Sequence, residues 1–161
     1  MSPDANATIL LVEDDIVTRT FLADNLSADG YDLLVADCVS DGLRLLERKF
    51  PDIALIDLGL PDASGYELLR RVRCADGVSS RLDPQTPLMV LSGRASELDR
   101  VRGFDRGADD YVCKPFSYPE LRGALVALFW FLSGPVLLGF RRRRRRHSAA
   151  HARLESGYLR V

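Results

Sequence analysis

The chain has 161 residues, enough for one domain of about 120 residues with a real core plus a tail, and too few for two ordinary domains. Its net charge of -1 hides a split: residues 141–161 hold eight of the 22 basic residues, all arginine, against Glu155 alone, leaving 14 basic and 22 acidic groups in the first 140 residues. An acidic body with a basic tail points to an anionic partner for the tail. Cys38, Cys74 and Cys113 are odd in number and lack CxxC spacing, which argues against a disulfide framework or a zinc site and fits a reducing compartment. Residues 1–6 show neither the charged nor the apolar region of a signal peptide, so a cytoplasmic location is expected.

Short apolar runs alternate with helix-period stretches as far as about residue 132, the pattern of βα units building a parallel sheet. Strands are predicted over 8–12, 32–36, 53–57, 88–91 and 110–113, and helices near 16–29, 39–49, 64–75, 96–106 and 118–132. Gly30 is a natural stop for the first helix and Pro51 closes the second. Ser64 is the expected N-cap of the third, with Glu67 completing a capping box. Near-continuous Val, Ile and Leu in the strands suits a sheet covered on both faces, a three-layer α/β sandwich. Residues 76–87 are rich in turn formers and read as a long surface loop, a tolerated insertion.

Acidic residues gather where these strands end. Glu13, Asp14 and Asp15 follow the first strand, Asp57 ends the third, and Lys114-Pro115 follows the fifth. In a doubly wound sheet, ligands collect outside the carboxyl ends of the strands, so these groups converge on one cleft. Clustered carboxylates repel one another unless a cation joins them, and a hard divalent ion such as Mg²⁺ (or Mn²⁺) fits an all-oxygen donor set. Taken alone, the trio at 13–15 reads equally well as solvated acids at a helix start.

Four pieces together carry a resemblance: Leu11-Val12-Glu13-Asp14-Asp15, Leu55-Ile56-Asp57-Leu58-Gly59-Leu60-Pro61-Asp62-Ala63-Ser64-Gly65, Leu91-Ser92-Gly93, and Gly107-Ala108-Asp109-Asp110-Tyr111-Val112-Cys113-Lys114-Pro115-Phe116. In this order, over about residues 8–122, they resemble the receiver domain of two-component response regulators. The stretch 101–121 is most similar to the winged-helix (OmpR/PhoB-like) transcription-factor subfamily, with the DNA-binding output domain missing or truncated. The resemblance implies a flavodoxin-like sheet of order 2-1-3-4-5 and a phosphorelay switch rather than an enzyme. It implies phosphorylation of Asp57 by a sensor histidine kinase, and Mg²⁺ (or Mn²⁺) held by Glu13, Asp14, Asp57 and the Gly59 carbonyl. Lys114 and Ser92 stabilise the phosphoryl group, Ser92 and Tyr111 form the switch, and Pro115 is the candidate for a cis peptide bond.

The physics of Asp57 agrees, because a carboxylate attacks an anionic phosphorus poorly until charge is screened. Asp15, one step further into the turn, is expected only to begin a helix. Ser92 reads equally as an N-cap, and Tyr111, taken alone, reads first as a tyrosine packing a sheet edge. A haloacid-dehalogenase-like phosphatase would need a second acid two residues after Asp57, where Gly59 stands. A dinucleotide-binding fold would need a glycine-rich turn where the acids follow Val12.

Residues 1–122 are thus expected to form the receiver, its last helix running on to about 132, and 123–161 an irregular, apolar and arginine-rich disordered tail. Seventeen apolar or small residues, Ala124 to Phe140, run into Arg141–Arg146, short of the roughly twenty that span a bilayer. The apolar end of the last helix, which includes Phe129, Trp130 and Phe131, leaves three covers open. These are a homodimer partner, through the fourth-helix to fifth-helix face, a membrane surface touching 124–146, or the tail itself. A receiver-like tethering module acting through this tail is the alternative function. Without a recognition helix, DNA is expected as a partner only through an output domain.

Overall fold

A computed structural model describes residues 6–93 and 106–132. The elements are β1 (Thr8–Val12), α1 (Ile16–Ala28), β2 (Asp32–Ala36), α2 (Val39–Lys49), β3 (Ile53–Asp57), α3 (Gly65–Arg73), β4 (Leu88–Ser92), β5 (Asp110–Cys113) and α4 (Tyr118–Leu132). All four strand pairings are parallel and the order is β2-β1-β3-β4-β5, the doubly wound arrangement expected. Strand β4 runs one residue further than the apolar pattern suggests, to Ser92. The candidate helix at 96–106 lies outside the described residues except for Arg106, which sits in a turn.

Two compact units divide the chain, residues 1–124 and 125–161. The whole sheet belongs to the first. Because successive strand side chains point to opposite faces, β1 sends Leu10 and Val12 one way and Ile9 and Leu11 the other. Leu10, Val12, Ala54, Ile56, Leu88 and Val90 join Val39, Leu43 and Leu46 of α2 and Leu68, Leu69 and Val72 of α3 in one buried cluster. Strands β3 and β4 are buried at every residue, which is why their sequences show no polar alternation. In the second unit the described residues are the end of α4, where Leu125 and Leu128 are buried while Val126, Trp130 and Phe131 are exposed.

The helix ends follow local chemistry. Asp15 caps α1, accepting from the Thr18 amide and hydroxyl at 2.8 and 2.6 Å. Gly30, at φ +90°, closes the same helix: its amide reaches Ser27 O and the Tyr31 amide reaches Leu26 O, the paired bonds of a Schellman motif. Ser64 caps α3 by accepting from the Tyr66 amide, but the capping box is not completed, because the Glu67 carboxylate turns to the Arg70 guanidinium instead. At α2 the N-cap residue Cys38 makes no side-chain cap bond. Asp62, 22 and 23 residues away in sequence, accepts from the Val39 and Ser40 amides at 2.8 and 3.0 Å.

The loop 76–87 is tied down at several points. Leu82 is buried in the α2–α3 cluster, and Ser80 donates to Glu47. Arg73, at the end of α3, donates to the carbonyls of Pro84, Thr86 and Gly107 and to the Asp109 carboxylate, all at 2.7–2.8 Å. The same carboxylate oxygen accepts from the Leu88 amide. One guanidinium thereby joins α3, the loop and the approaches to β4 and β5. No sequence motif announces it, since each partner is a backbone carbonyl or a lone acid distant in the chain.

Two outcomes follow from these anchors. Leu82→Ala should lower the urea-unfolding free energy by about 3 kcal/mol, as for other leucines removed from a core. Asp76 is held down to about 2 by the Val78 amide, the Ser79 hydroxyl and the Ser79 amide. A depressed carboxylate stabilises the fold above its ordinary value near ~3.9, and that contribution disappears as pH falls toward 2. Melting curves of wild type should therefore lose stability more steeply between pH 4 and pH 2 than those of Asp76→Asn.

Candidate functional site

Three strand ends build the site. Glu13 follows β1, and its amide continues the sheet by donating to Ala36 O at 3.0 Å. Asp57 closes β3, and Lys114 follows β5, its amide donating to Ser92 O at 2.7 Å. This last bond sets the end of β5 beside the end of β4. Carboxylate oxygens of Glu13, Asp14 and Asp57 all lie within 4.8 Å of one another. The Lys114 ammonium donates to Glu13 Oε2 at 2.6 Å and stands 3.4 Å from Asp57 Oδ1. The Lys114-Pro115 peptide bond is cis.

Burial grades the acids. The Glu13 side chain is fully buried, Asp57 is 8% exposed, and Asp14 is open to solvent. Desolvation raises the pKa of Glu13 above the usual carboxylate range, against the Lys114 hydrogen bond and the Asp15 amide that favour its anion, while the Asp57 charge adds to the rise. Burial also opposes the charge on Lys114, but its bonds and charge contacts with Glu13 and Asp57 prevail and raise its pKa. The two shifts run in the same direction for different reasons: desolvation prevails at the glutamate, whereas at the lysine the neighbouring carboxylates outweigh it. Three carboxylates stand together, and the one ammonium reaches only those of Glu13 and Asp57. That excess of negative charge, on hard oxygen donors within reach of one another, fits a divalent ion of the Mg²⁺ or Mn²⁺ type.

The turn after β3 wraps closely around Asp57. Gly59 pairs with Ser64 across it, and the Gly65 amide donates to Leu58 O. A side chain at Gly65 would bring its first carbon to 2.3 Å from the Asp57 carbonyl oxygen, so only glycine lets α3 start this near the strand end. Ser92 is buried at the end of β4. Tyr111 is buried as well and belongs to the α2–α3 cluster.

All the residues singled out at strand ends thus meet at one edge of the sheet, except Asp15, which serves as the α1 cap. Two contributors were not legible in the sequence. Asp62 stands five residues beyond Asp57 yet caps α2. Arg19 donates to the carbonyls of Glu13 and Asp14 at 3.1 and 3.4 Å; no residue type or spacing distinguishes it from the other surface arginines.

The fold and this carboxylate–lysine cleft define a class. Residues 9–126 match the response regulator receiver domain family, and the chain belongs to it: a phosphoacceptor switch of phosphorelay signalling. Among curated relatives, the KDP operon transcriptional regulatory protein KdpE of Escherichia coli is 40% identical over 121 residues, covering 74% of this chain and 50% of its own. The transcriptional regulatory protein AfsQ1 of Streptomyces coelicolor is 39% identical over 108 residues, 67% of this chain and 44% of the relative. The chain spans about half the length of the curated relatives it matches. Among solved structures, the receiver domain of sensor histidine kinase PA1611 from Pseudomonas aeruginosa, which has a magnesium ion coordinated in its active-site cleft, superposes with a TM-score of 0.68. It is 29% identical and covers 81% of this chain and 100% of its own. The non-phosphorylated HemR receiver domain of Leptospira biflexa gives 0.68 at 29% identity, over 76% of this chain and 94% of its own.

The Glu13–Lys114 pair can be tested by a double-mutant cycle. Lys114→Met strands a buried carboxylate and should cost about 2 kcal/mol, the figure allowing for the solvent contact of the lysine. Adding Glu13→Gln to that variant should restore most of the loss in chemical denaturation at neutral pH.

Proposed function

We propose that Asp57 accepts a phosphoryl group from the phosphohistidine of a sensor histidine kinase. The observation that supports this is its position: a strand-end carboxylate within 4.8 Å of two others and 3.4 Å from an ammonium. An Asp57 oxygen attacks phosphorus, the bond from phosphorus to the imidazole nitrogen breaks with its electron pair going to the ring, and an acyl phosphate forms. Glu13, Asp14, Asp57 and the Gly59 carbonyl are the proposed metal ligands. When bound, Mg²⁺ supplies the positive charge that lets two anions approach.

The chain's own groups do the rest. Lys114 offers a compact positive charge to the phosphoryl oxygens, and leaves Glu13 to do so. The Ser92 hydroxyl donates to the same group, and its movement changes the packing of Tyr111. A new dianionic group at one strand end thereby biases a two-state element. The output proposed is regulation of transcription in the cytoplasm, as the names of the relatives suggest for the longer proteins they describe. Exposed Val126, Trp130 and Phe131 form an apolar surface that fits self-association. Among the described residues no helix is long and apolar enough to cross a membrane.

Incubation with a small phosphodonor and Mg²⁺ should add one phosphoryl group by intact mass, with none on Asp57→Asn and none after chelation. An adduct of equal yield on Asp57→Asn would sink the assignment.

A further inference from the structure

We infer that Arg19 is a positioning residue for the acidic loop, fixing the backbone from which Glu13 and Asp14 present their carboxylates. The inference rests on the metal site proposed above and adds to it a residue outside the carboxylate set. One guanidinium nitrogen, Nη1, bridges the carbonyl oxygens of Glu13 and Asp14 at 3.1 and 3.4 Å. These are consecutive residues, so the contact fixes the peptide plane between the two acids as well as the direction each side chain takes.

The location of the arginine favours this role over helix support. Asp15 is the N-cap of α1, and the Arg19 amide makes the first intrahelical bond, to Asp15 O at 2.8 Å. A cation one turn into a helix stands near the positive end of the dipole, where it weakens rather than supports the helix. Its guanidinium instead turns back across the start of the helix to the loop. Glu13 has other restraints: its amide is in the sheet, its Oε2 is on Lys114, and its Oε1 accepts from the Asp15 amide at 3.1 Å. Asp14 is solvent-exposed, and the bridge at its carbonyl anchors it beside the cleft. Outer groups that orient ligands in this way commonly govern metal affinity as strongly as about tenfold or more.

Charge and geometry make opposite predictions. A cation near a metal site repels the ion, so if Arg19 acted only through its charge, removing it would tighten Mg²⁺ binding. If it holds the loop, removing it loosens binding. Mg²⁺ titration of the full chain by calorimetry, at fixed ionic strength, reads this directly and without any phosphotransfer assay. Arg19→Ala should bind Mg²⁺ about tenfold more weakly than wild type. Arg19→Lys, which keeps the charge on a shorter stem, should fall between them. Leu82→Ala, destabilised on the other side of the molecule from α1, serves as the fold control and should keep wild-type affinity. Equal or tighter binding by Arg19→Ala, or a comparable loss in Leu82→Ala, would overturn the clamp while leaving the metal site intact. No Mg²⁺ uptake by wild type would overturn both.

Discussion

A fully buried carboxylate, Glu13, is held within reach of two more acids by the geometry of a parallel sheet, and a single lysine answers them. Taking a carboxylate out of water beside other acids is costly; burial first and the Asp57 charge after it raise the pKa of Glu13, and the 2.6 Å bond from Lys114 offsets only part of that cost. The site is therefore electrostatically incomplete by construction. It favours whatever brings positive charge to the acids, and an anion can enter only alongside that charge. The proposed metal binding and phosphoryl acceptance are then two consequences of one imbalance.

The rest of the molecule maintains that imbalance. Strands buried at every residue place Asp57 at a fixed height, and the Ser92–Lys114 backbone bond aligns the lysine with it. Gly65 allows α3 to begin against the Asp57 carbonyl, where any side chain would collide. At the opposite end of α3, Arg73 binds the approaches to β4 and β5 to one guanidinium, so the strands that lead to Ser92 and Lys114 enter the sheet from a common anchor. Under the proposed function, tight packing of this kind would pass a small displacement at Ser92 to Tyr111 as a change between discrete arrangements rather than a gradual deformation.

Much of this was legible in the sequence. Apolar runs ending in Asp57 and Glu13 gave strand positions and the cleft together, because in a parallel sheet both acids must emerge at the same edge. The cap roles of Asp15 and Gly30 followed from local turn chemistry. What escaped was non-local. Asp62 sits within a motif and could be assigned no role until α2 was seen to lack its own cap; nearer in the chain, the Glu67 side chain takes Arg70, three residues on, over the box its spacing suggested. Nothing in the turn-rich stretch 76–87 distinguishes Leu82 from Val78, yet Leu82 is buried in the tertiary cluster and Val78 is exposed. Arg19 and Arg73 act on backbone carbonyls, which every residue possesses, so no pattern of side chains could mark their partners.

The central claim is that the Glu13, Asp14, Asp57 and Lys114 cleft receives a divalent ion and a phosphoryl group together. A crystal structure of the chain grown with Mg²⁺ and a beryllofluoride phosphoryl mimic tests it most directly. The account predicts the mimic on an Asp57 carboxylate oxygen, the ion touching Asp14 and Asp57, and the Lys114 ammonium moved from Glu13 to the mimic. An ion bound elsewhere, such as at the Asp37, Cys38 and Asp41 group, with Asp57 bare and Lys114 still on Glu13, would contradict it.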